Sequence, residues 1–492
     1  MQAPRSLILI TVDCFRADHA GFMGYGRPTT PFLDCLASES FVFTNAIASG
    51  TPTYYSVPAI LASRYPLAFG RDLLGIAPDE TTIASTLQES GFATAAFSAG
   101  NPYISKRFGY DRGFDVFHDF LSTTSFSAEQ SGPSSSFRNR ANRAFSRTCH
   151  AIPGLGTAYD ELYFQYCQNV DSGTESLDSL RKFPSADVIV DNATAWVKAN
   201  RDRPFFVWLH LMDPHAPYFP KSEALRLMRT GTVGARQAKY VNAYWNRGDL
   251  SPQRLAKKRE QVIALYDAGI RWVDEQVRRL TENLVEVNLW DKCALAITAD
   301  HGEEFLEHGG RYHPPVKLND ELIHVPLLVR VPGHSPKSIE SSTGLIDLAP
   351  SLLDALGVPA PADFRGRSWL GAVRKGQPLD RAVITECVHG CTNPFHRGSR
   401  LGPRILSVRK GNYKIVLDFS TGADELFDLS CDPAEAAPLP RGVLPGIRKE
   451  LLDRARKHVM ESHKSRGFDR CEAMQMRDLR LEWAHSPAHI AN

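Results

Sequence analysis

The run Leu7–Val12 reads Leu-Ile-Leu-Ile-Thr-Val, and Asp13 follows it without a spacer. A continuous aliphatic and β-branched stretch of this kind has no polar face to turn to water. It reads as a strand buried on both sides, which a sheet covered by helices on each face provides. It is too short to cross a bilayer, for which about 20 apolar residues are needed. It also lacks the small-residue cleavage site of an export signal. The pattern recurs: Phe92–Phe97, Phe205–Leu211, Cys293–Thr298 and Val325–Val331 are further buried-strand candidates. Helical spacing fills the intervals between them. Alternating strands and helices predict an α/β fold with a large, mostly parallel central sheet flanked by helices.

The helix signals are local. Thr30-Pro31 places a cap before a proline and opens a helix through Ser38. Asp79 reads as the cap of a second, in which Ile83 and Leu87 lie one turn apart. Ser185 starts a third. A long helix covers about Pro252–Leu284, with Tyr266, Ile270, Val273, Val277, Leu280 and Leu284 on one stripe. After about residue 370 the texture changes. Arg404–Arg409 and Tyr413–Leu417 flank Lys410-Gly411-Asn412 as a hairpin, and Pro445–Met460 is an amphipathic helix. The expected organisation is one large domain, 1–370, and a smaller C-terminal α+β subdomain, 371–492. An insertion at about 121–182 contains the Ser-rich stretch Ser122–Ser136.

Composition narrows the partners. Lys plus Arg is 57 and Asp plus Glu is 55, so the net charge over 492 residues is 57 − 55 = +2. So even a balance gives no long-range field for nucleic acid or an acidic membrane. No apolar run has transmembrane length. The nine cysteines are scattered without the spacing of a disulfide framework. With no export signal, free thiols and a cytoplasmic location are the expectation.

In a parallel α/β sheet, sites form beyond the carboxyl ends of the strands. Asp13 and Asp300 both follow buried-strand candidates, and His301 comes directly after Asp300. Two carboxylates and an imidazole from separate strands can converge on one divalent metal ion.

Several longer segments carry a family likeness. ILITVDCFRADHAGFMGYGRPTTPFLDCLA, FFVWLHLMDPHAPY, ITADHGEEFLEHGGRYH and ELIHVPLLVRVPG occur in that order. Together they resemble the sulfatase-like branch of the alkaline phosphatase superfamily, collinearly over most of residues 6–440. The resemblance implies a metal-assisted hydrolase or transferase of sulfate or phosphate esters. It implies that Asp13, Asp300 and His301 are metal ligands. Many members carry two acids at the first position, where this chain has Asp13 and Cys14. That departure favours manganese or zinc over calcium or magnesium. Cys14 is either a small buried packing residue or a ligand to a soft ion.

The nucleophile position is also unusual. Formylglycine sulfatases have Cys or Ser there, then Pro two residues on and Arg four on. Aligned on Arg64-Tyr65-Pro66, that position falls on Thr53, with Tyr55 and Val57 where Pro and Arg are expected. A Thr53 hydroxyl on a divalent cation can attack as an alkoxide. Thr51 and Ser56 are rivals in the same loop. His215 matches the family's substrate-binding histidine, and His313 falls where a Lys or His neutralises an oxygen of the anion. Asn101 and Tyr103 stand where sulfatases have Lys and His, which favours a diester or monoanion over a dianion. His308 and His324 read as polar packing residues, and Arg16 with Asp18 as a structural ion pair.

The expected function is hydrolysis of a phosphate diester, phosphonate or sulfate ester through Thr53. The substrate is a small-molecule, glycan-linked or lipid-linked anionic ester. One alternative is transfer of a phospho-alcohol or sulfo group to a glycan or lipid; another is a catalytically silent binding protein on the same fold. The Cys387, His389, Cys391 and His396 cluster matches no zinc spacing and reads as a loop on the rim of the site, with a second catalytic metal held partly by His389 as the alternative. Oligomeric state is open.

Overall fold

The structure is a computed structural model that describes residues 4–70, 73–121, 176–228 and 233–462. Ser122–Ser136, and most of the expected insertion with it, lies outside the described residues. In chain order the strands are β1 (Ser6–Val12), β2 (Phe41–Ile47), β3 (Ala93–Ser98), β4 (Val116–His118), β5 (Phe205–Leu211) and β6 (Cys293–Ala299). A short ribbon, β7 (Glu304–Phe305) and β8 (Arg311–Tyr312), precedes β9 (His324–Arg330), β10 (Lys337–Ile339) and β11 (Thr343–Gly344). The last four are β12 (Val383–Val388), β13 (Arg404–Lys410), β14 (Tyr413–Asp418) and β15 (Ala423–Asp428).

The main sheet runs β10-β2-β9-β6-β1-β5-β3-β4, with β11 also on β2. The aliphatic run of β1 lies near its middle, parallel to both β5 and β6. Every residue of β1, β5 and β6 is buried, as an unbroken apolar run requires. Among the described strands of this sheet β9 alone runs against the rest, antiparallel to β2 and β6. Register then fixes the site. Val12 pairs with Ala299 and Thr11 with His210, so Asp13 and Asp300 leave the sheet side by side, next to the end of β5.

The helices cover both faces. The Pro252–Glu286 helix buries Tyr266, Ile270, Val273, Val277, Leu280 and Leu284, the stripe expected from their spacing. The second helix starts later than expected. Its cap is Thr82, not Asp79, because Thr82 is still extended and exchanges hydrogen bonds with Ser85 in a capping box. Thr30 precedes its helix, but its hydroxyl donates to Asp34 and leaves the first amides to another partner.

The strands β12 to β15 form a separate antiparallel sheet in chain order. The expected hairpin is β13–β14, with Lys410 opposite Tyr413 and Gly411 at φ 57 in the turn. The Pro445–Ser462 helix lays Leu451, Ala455 and Val459 on Leu406, Val408, Ile415 and Leu417, a core cluster apart from the main one. Among the described residues no helix is long and apolar enough to cross a membrane.

Candidate active site

Asp13 is the hub. Its side chain is fully buried. Oδ2 accepts from Asn101 Nδ2 at 2.9 Å and lies 3.4 Å from His210 Nε2 and 3.4 Å from Thr53 Oγ1. Oδ1 lies 3.1 Å from Cys14 Sγ and 3.6 Å from His301 Nε2. Asp300 comes in from β6. Its Oδ1 accepts from the His301 amide at 3.0 Å, and its Oδ2 is 3.6 Å from His301 Nε2. That Oδ2 is buried with no hydrogen-bond partner.

The two acids differ in their proton affinity. Burial opposes ionisation of Asp13, but His215, His210 and His301 outweigh it and hold the carboxyl well below the ordinary range. Burial and the charge of Asp13 push Asp300 up. Two such carboxyls with an orphaned oxygen between imidazoles are poorly balanced by protein groups alone, and a divalent cation corrects both defects. The histidines present the right atoms. His301 Nδ1 donates to the Gly302 carbonyl at 2.8 Å, which leaves Nε2 bare toward the acids. His210 Nδ1 meets Thr11 Oγ1 at 2.9 Å, with Nε2 toward Asp13. Asp13, His210 and Asp300 can converge on one ion, as can Asp13, Cys14 and His301. Gly302 is glycine because a Cβ there would stand 2.0 Å from the Glu321 carbonyl oxygen.

Thr53 opens the Thr53–Ala62 helix, with Pro52 as cap. Its Oγ1 is 3.2 Å from His301 Nε2 and 3.4 Å from Asp13 Oδ2. Of the rivals, Ser56 Oγ donates to the Asp300 carbonyl, and Thr51 Oγ1 is buried without a partner. At a helix start the first backbone amides lack intrahelical acceptors and face an incoming anion.

A cavity of about 420 Å³ opens on Thr53. Asn101, Tyr103, His215, Arg311 and His313 line it, with Tyr54, Phe183 and Tyr312 as aromatic walls. His215 Nδ1 donates to the Ala216 carbonyl, so Nε2 is the atom left to face the cavity. His313 Nδ1 lies 3.1 Å from Glu303 Oε2 and 3.3 Å from Cys14 Sγ. The expected site residues Asp13, Thr53, Asn101, Tyr103, His215, Asp300, His301 and His313 are therefore brought together. Asn101 is spent in part on Asp13, and Tyr103 stacks on Phe395 with ring centroids 5.3 Å apart. His210 and Glu303 are additions the sequence reading did not single out. A histidine inside an otherwise apolar strand was the available signal for His210.

The other polar candidates are structural. His308 pairs with Glu321 at 2.6 Å, His324 with the Thr44 carbonyl at 2.8 Å, and Arg16 with Asp18 at 2.7 Å. Cys387 and Cys391 are buried, while His389 and His396 are not. Tyr54 donates to the Cys391 carbonyl, so this loop backs the Thr53 helix. Cys14, Cys35, Cys293, Cys387, Cys391 and Cys431 are free thiols.

A nine-stranded sheet gathers acids, histidines and a helix-start hydroxyl at its strand ends, where a parallel α/β sheet places its chemistry. The sulfatase family profile matches residues 5–358, and the chain belongs to that family. A second profile, N-sulphoglucosamine sulphohydrolase C-terminal, matches residues 311–441. Relatives include arylsulfatase K of Rattus norvegicus, 25% identical over 272 residues, which covers 50% of this chain and 47% of that protein. The chain thus spans about half the length of arylsulfatase K. An ulvan-active sulfatase of Formosa agariphila is 22% identical over 87% of this chain and 75% of its own length. The multifunctional alkaline phosphatase superfamily protein PehA of Trinickia caryophylli is 22% identical over 88% and 91%. Among solved structures, a complex with its substrate D-glucosamine-2-N,6-O-disulfate superposes with a TM-score of 0.69 at 17% identity, over 94% of this chain and 99% of that one. A phosphonate monoester hydrolase of Agrobacterium radiobacter gives 0.65 at 20% identity, over 94% and 96%. These likenesses place the fold.

Proposed function

We propose that this sulfatase-family chain hydrolyses monoanionic esters, whether phosphate diesters, phosphonate monoesters or sulfate esters, with Thr53 as the nucleophile. The observation that carries the reading is Thr53 Oγ1, held within 3.4 Å of Asp13 Oδ2 and 3.2 Å of His301 Nε2 at a helix start. Asp13, Asp300, His301 and Thr53 would hold one divalent ion, manganese or zinc in preference to calcium or magnesium on donor type. Such an ion supplies Lewis-acid charge stabilisation and a lowered hydroxyl pKa. Thr53 Oγ1 attacks phosphorus or sulfur, the ester alcohol leaves, and water then releases the group from Thr53.

The remaining residues bind and orient. His215 and His313 face the non-bridging and leaving oxygens. Asn101 and Tyr103 bring dipoles instead of full charges, which suits one negative charge on the substrate. The aromatic walls give the alcohol portion an apolar seat. Hydrolase activity toward a phosphonate monoester in one structural relative, and toward sulfate esters in others, supports this range. The free thiols suit a reducing, cytoplasmic setting.

The test is a panel of chromogenic sulfate, phosphate monoester, phosphate diester and phosphonate esters, assayed with manganese, zinc, magnesium and calcium. Diester or phosphonate turnover should exceed monoester turnover. Thr53→Ala should lower kcat by about 10⁴-fold or more while keeping the fold and the bound ion. A Thr53→Ala enzyme that still turns over overturns the assignment.

A further inference from the structure

A second cavity, of about 470 Å³, lies where the main core meets the C-terminal sheet and its helix. Tyr65, which lines it, follows the far end of the Thr53–Ala62 helix, so the cavity is apart from the one that opens on Thr53. Ala68, Phe364 and Ile384 are buried and give it an apolar floor. One wall is the segment Arg365-Gly366-Arg367, and its backbone is pinned. The Arg365 amide donates to the Ser63 carbonyl at 2.8 Å, the Gly366 amide to Ser63 Oγ at 2.9 Å, and the Arg367 amide to Asp347 Oδ1 at 2.7 Å. A Cβ at Gly366 would run into the Ile346 carbonyl. The other wall is the Pro445–Ser462 helix, where Arg454, Lys457 and Glu461 share a face at spacings of three and four.

The charges around this cavity do not cancel. Four cations line it, Arg365, Arg367, Arg454 and Lys457, against one carboxylate, Glu461. Among the described residues neither Arg365 nor Arg367 forms an ion pair with a carboxylate. Arg454 reaches Glu450 only at 3.4 Å, and Glu450 is closer to Lys410, at 2.9 Å. Lys457 and Glu461 are 3.9 Å apart on the helix surface, where a pair is worth little. The acids behind the walls are committed elsewhere. Asp347 takes the Arg367 amide and lies 3.4 Å from Arg381, and Glu386 is taken up by His458 and Arg404. Over the whole chain the net charge is only +2, so an excess of three in one cavity is local. A solvated helix face accounts for Arg454 and Lys457. It does not account for two arginines carried to the same cavity by a pinned loop. A concave surface lined by one sign of charge concentrates the opposite sign.

The excess also selects the ligand. A sulfate ester carries one charge, whereas a phosphate monoester carries about 1.5–2 near neutral pH, so two phosphate groups match an excess of three. Guanidinium groups take phosphate through paired N–H donors. The volume is that of a small-molecule site. We propose that this cavity binds a small molecule with two phosphate groups, one on Arg365 and Arg367 and the other on Arg454 and Lys457, its uncharged body over Phe364 and Ile384. The site is separate from the chemistry at Thr53, and its test reads binding, not turnover.

Glucose 1,6-bisphosphate is titrated into the full-length protein at low ionic strength and followed by calorimetry. It should bind, and replacing Arg365 and Arg367 together by Ala should weaken it by about tenfold or more. Replacing Arg454 and Lys457 together by Ala should do the same from the opposite wall, and serves if the first pair does not fold. His215→Ala, which alters the cavity at Thr53, should leave this binding unchanged. Glucose 6-phosphate and D-glucosamine-2-N,6-O-disulfate should each bind about tenfold more weakly or worse. Absence of binding to the wild type overturns the proposal, as does binding that both double variants retain. Loss of binding in His215→Ala would put the bisphosphate in the cavity at Thr53 and overturn it too. Equal affinity for the disulfate overturns the choice of phosphate.

Discussion

His210 is the penultimate residue of a strand whose other members are apolar, and it is fully buried. Its Nδ1 meets Thr11 Oγ1, which itself accepts from Trp208 Nε1 at 3.0 Å. The ring is thereby fixed with Nε2 toward Asp13. A ring held so, between a hydroxyl network and the hub carboxylate, would act on the cation proposed between the two aspartates. His210→Ala is expected to weaken divalent-ion binding by about 10–100-fold while the chain stays folded. Competition against a chromophoric chelator measures this, and unchanged affinity would remove His210 from the site. At this scale the sequence was partly legible. Asp13, Asp300 and His301 could be read because they follow strand ends, where a parallel sheet places its chemistry. Thr53 needed the longer motif. His210 and Glu303 stayed hidden, since only register tells which strand residue reaches the site, and Glu303 is one acid among several in a short loop.

The Pro252–Glu286 helix shows the same division at the scale of an element. Its apolar stripe was legible and is buried as spacing demands. Asp267 and Asp274 are buried on it too, seven residues apart and so near the same face. Asp267 takes His19 at 2.7 Å, Tyr25 at 2.8 Å and Arg27 at 2.9 Å. Asp274 accepts from the amides of Phe32 at 3.1 Å and Leu33 at 2.8 Å. The Pro31–Ala37 helix is therefore capped by a carboxylate from another helix, which is why Thr30 is free to bond Asp34. Periodicity cannot show this, because the partners are more than 200 residues apart. Both acids fasten the segment that leads away from Asp13. Asp274→Ala strands two amides at a helix start, and a loss of about 2 kcal/mol is expected. A fall in the urea midpoint at unchanged slope measures it.

At the scale of the whole molecule, a change in texture near residue 370 announced a second sheet, and the hairpin and the Pro445–Ser462 helix could be placed. How that sheet is tied to the rest could not, because the ties span long separations. Glu386 on β12 is one such tie. It is fully buried, accepts from the Leu67 amide at 2.9 Å and from His458 Nε2 at 3.0 Å, and lies 3.7 Å from Arg404 Nε. One carboxylate thus joins the main core, the second sheet and the C-terminal helix. Burial alone would raise its pKa; His458, Arg404 and the Leu67 amide outweigh that and bring it to about 2, from an ordinary 4.5. A depressed carboxyl stabilises the fold fully above its unfolded value, and the contribution is lost as pH falls through the folded one. The window is therefore between about pH 4.5 and about pH 2. A shift of this size corresponds to about 3 kcal/mol. Denaturant unfolding across that window should show the wild type losing about 3 kcal/mol more than Glu386→Gln, since other paired acids titrate equally in both. Parallel curves would mean that the tie is made by packing of the C-terminal helix and not by the charge of Glu386.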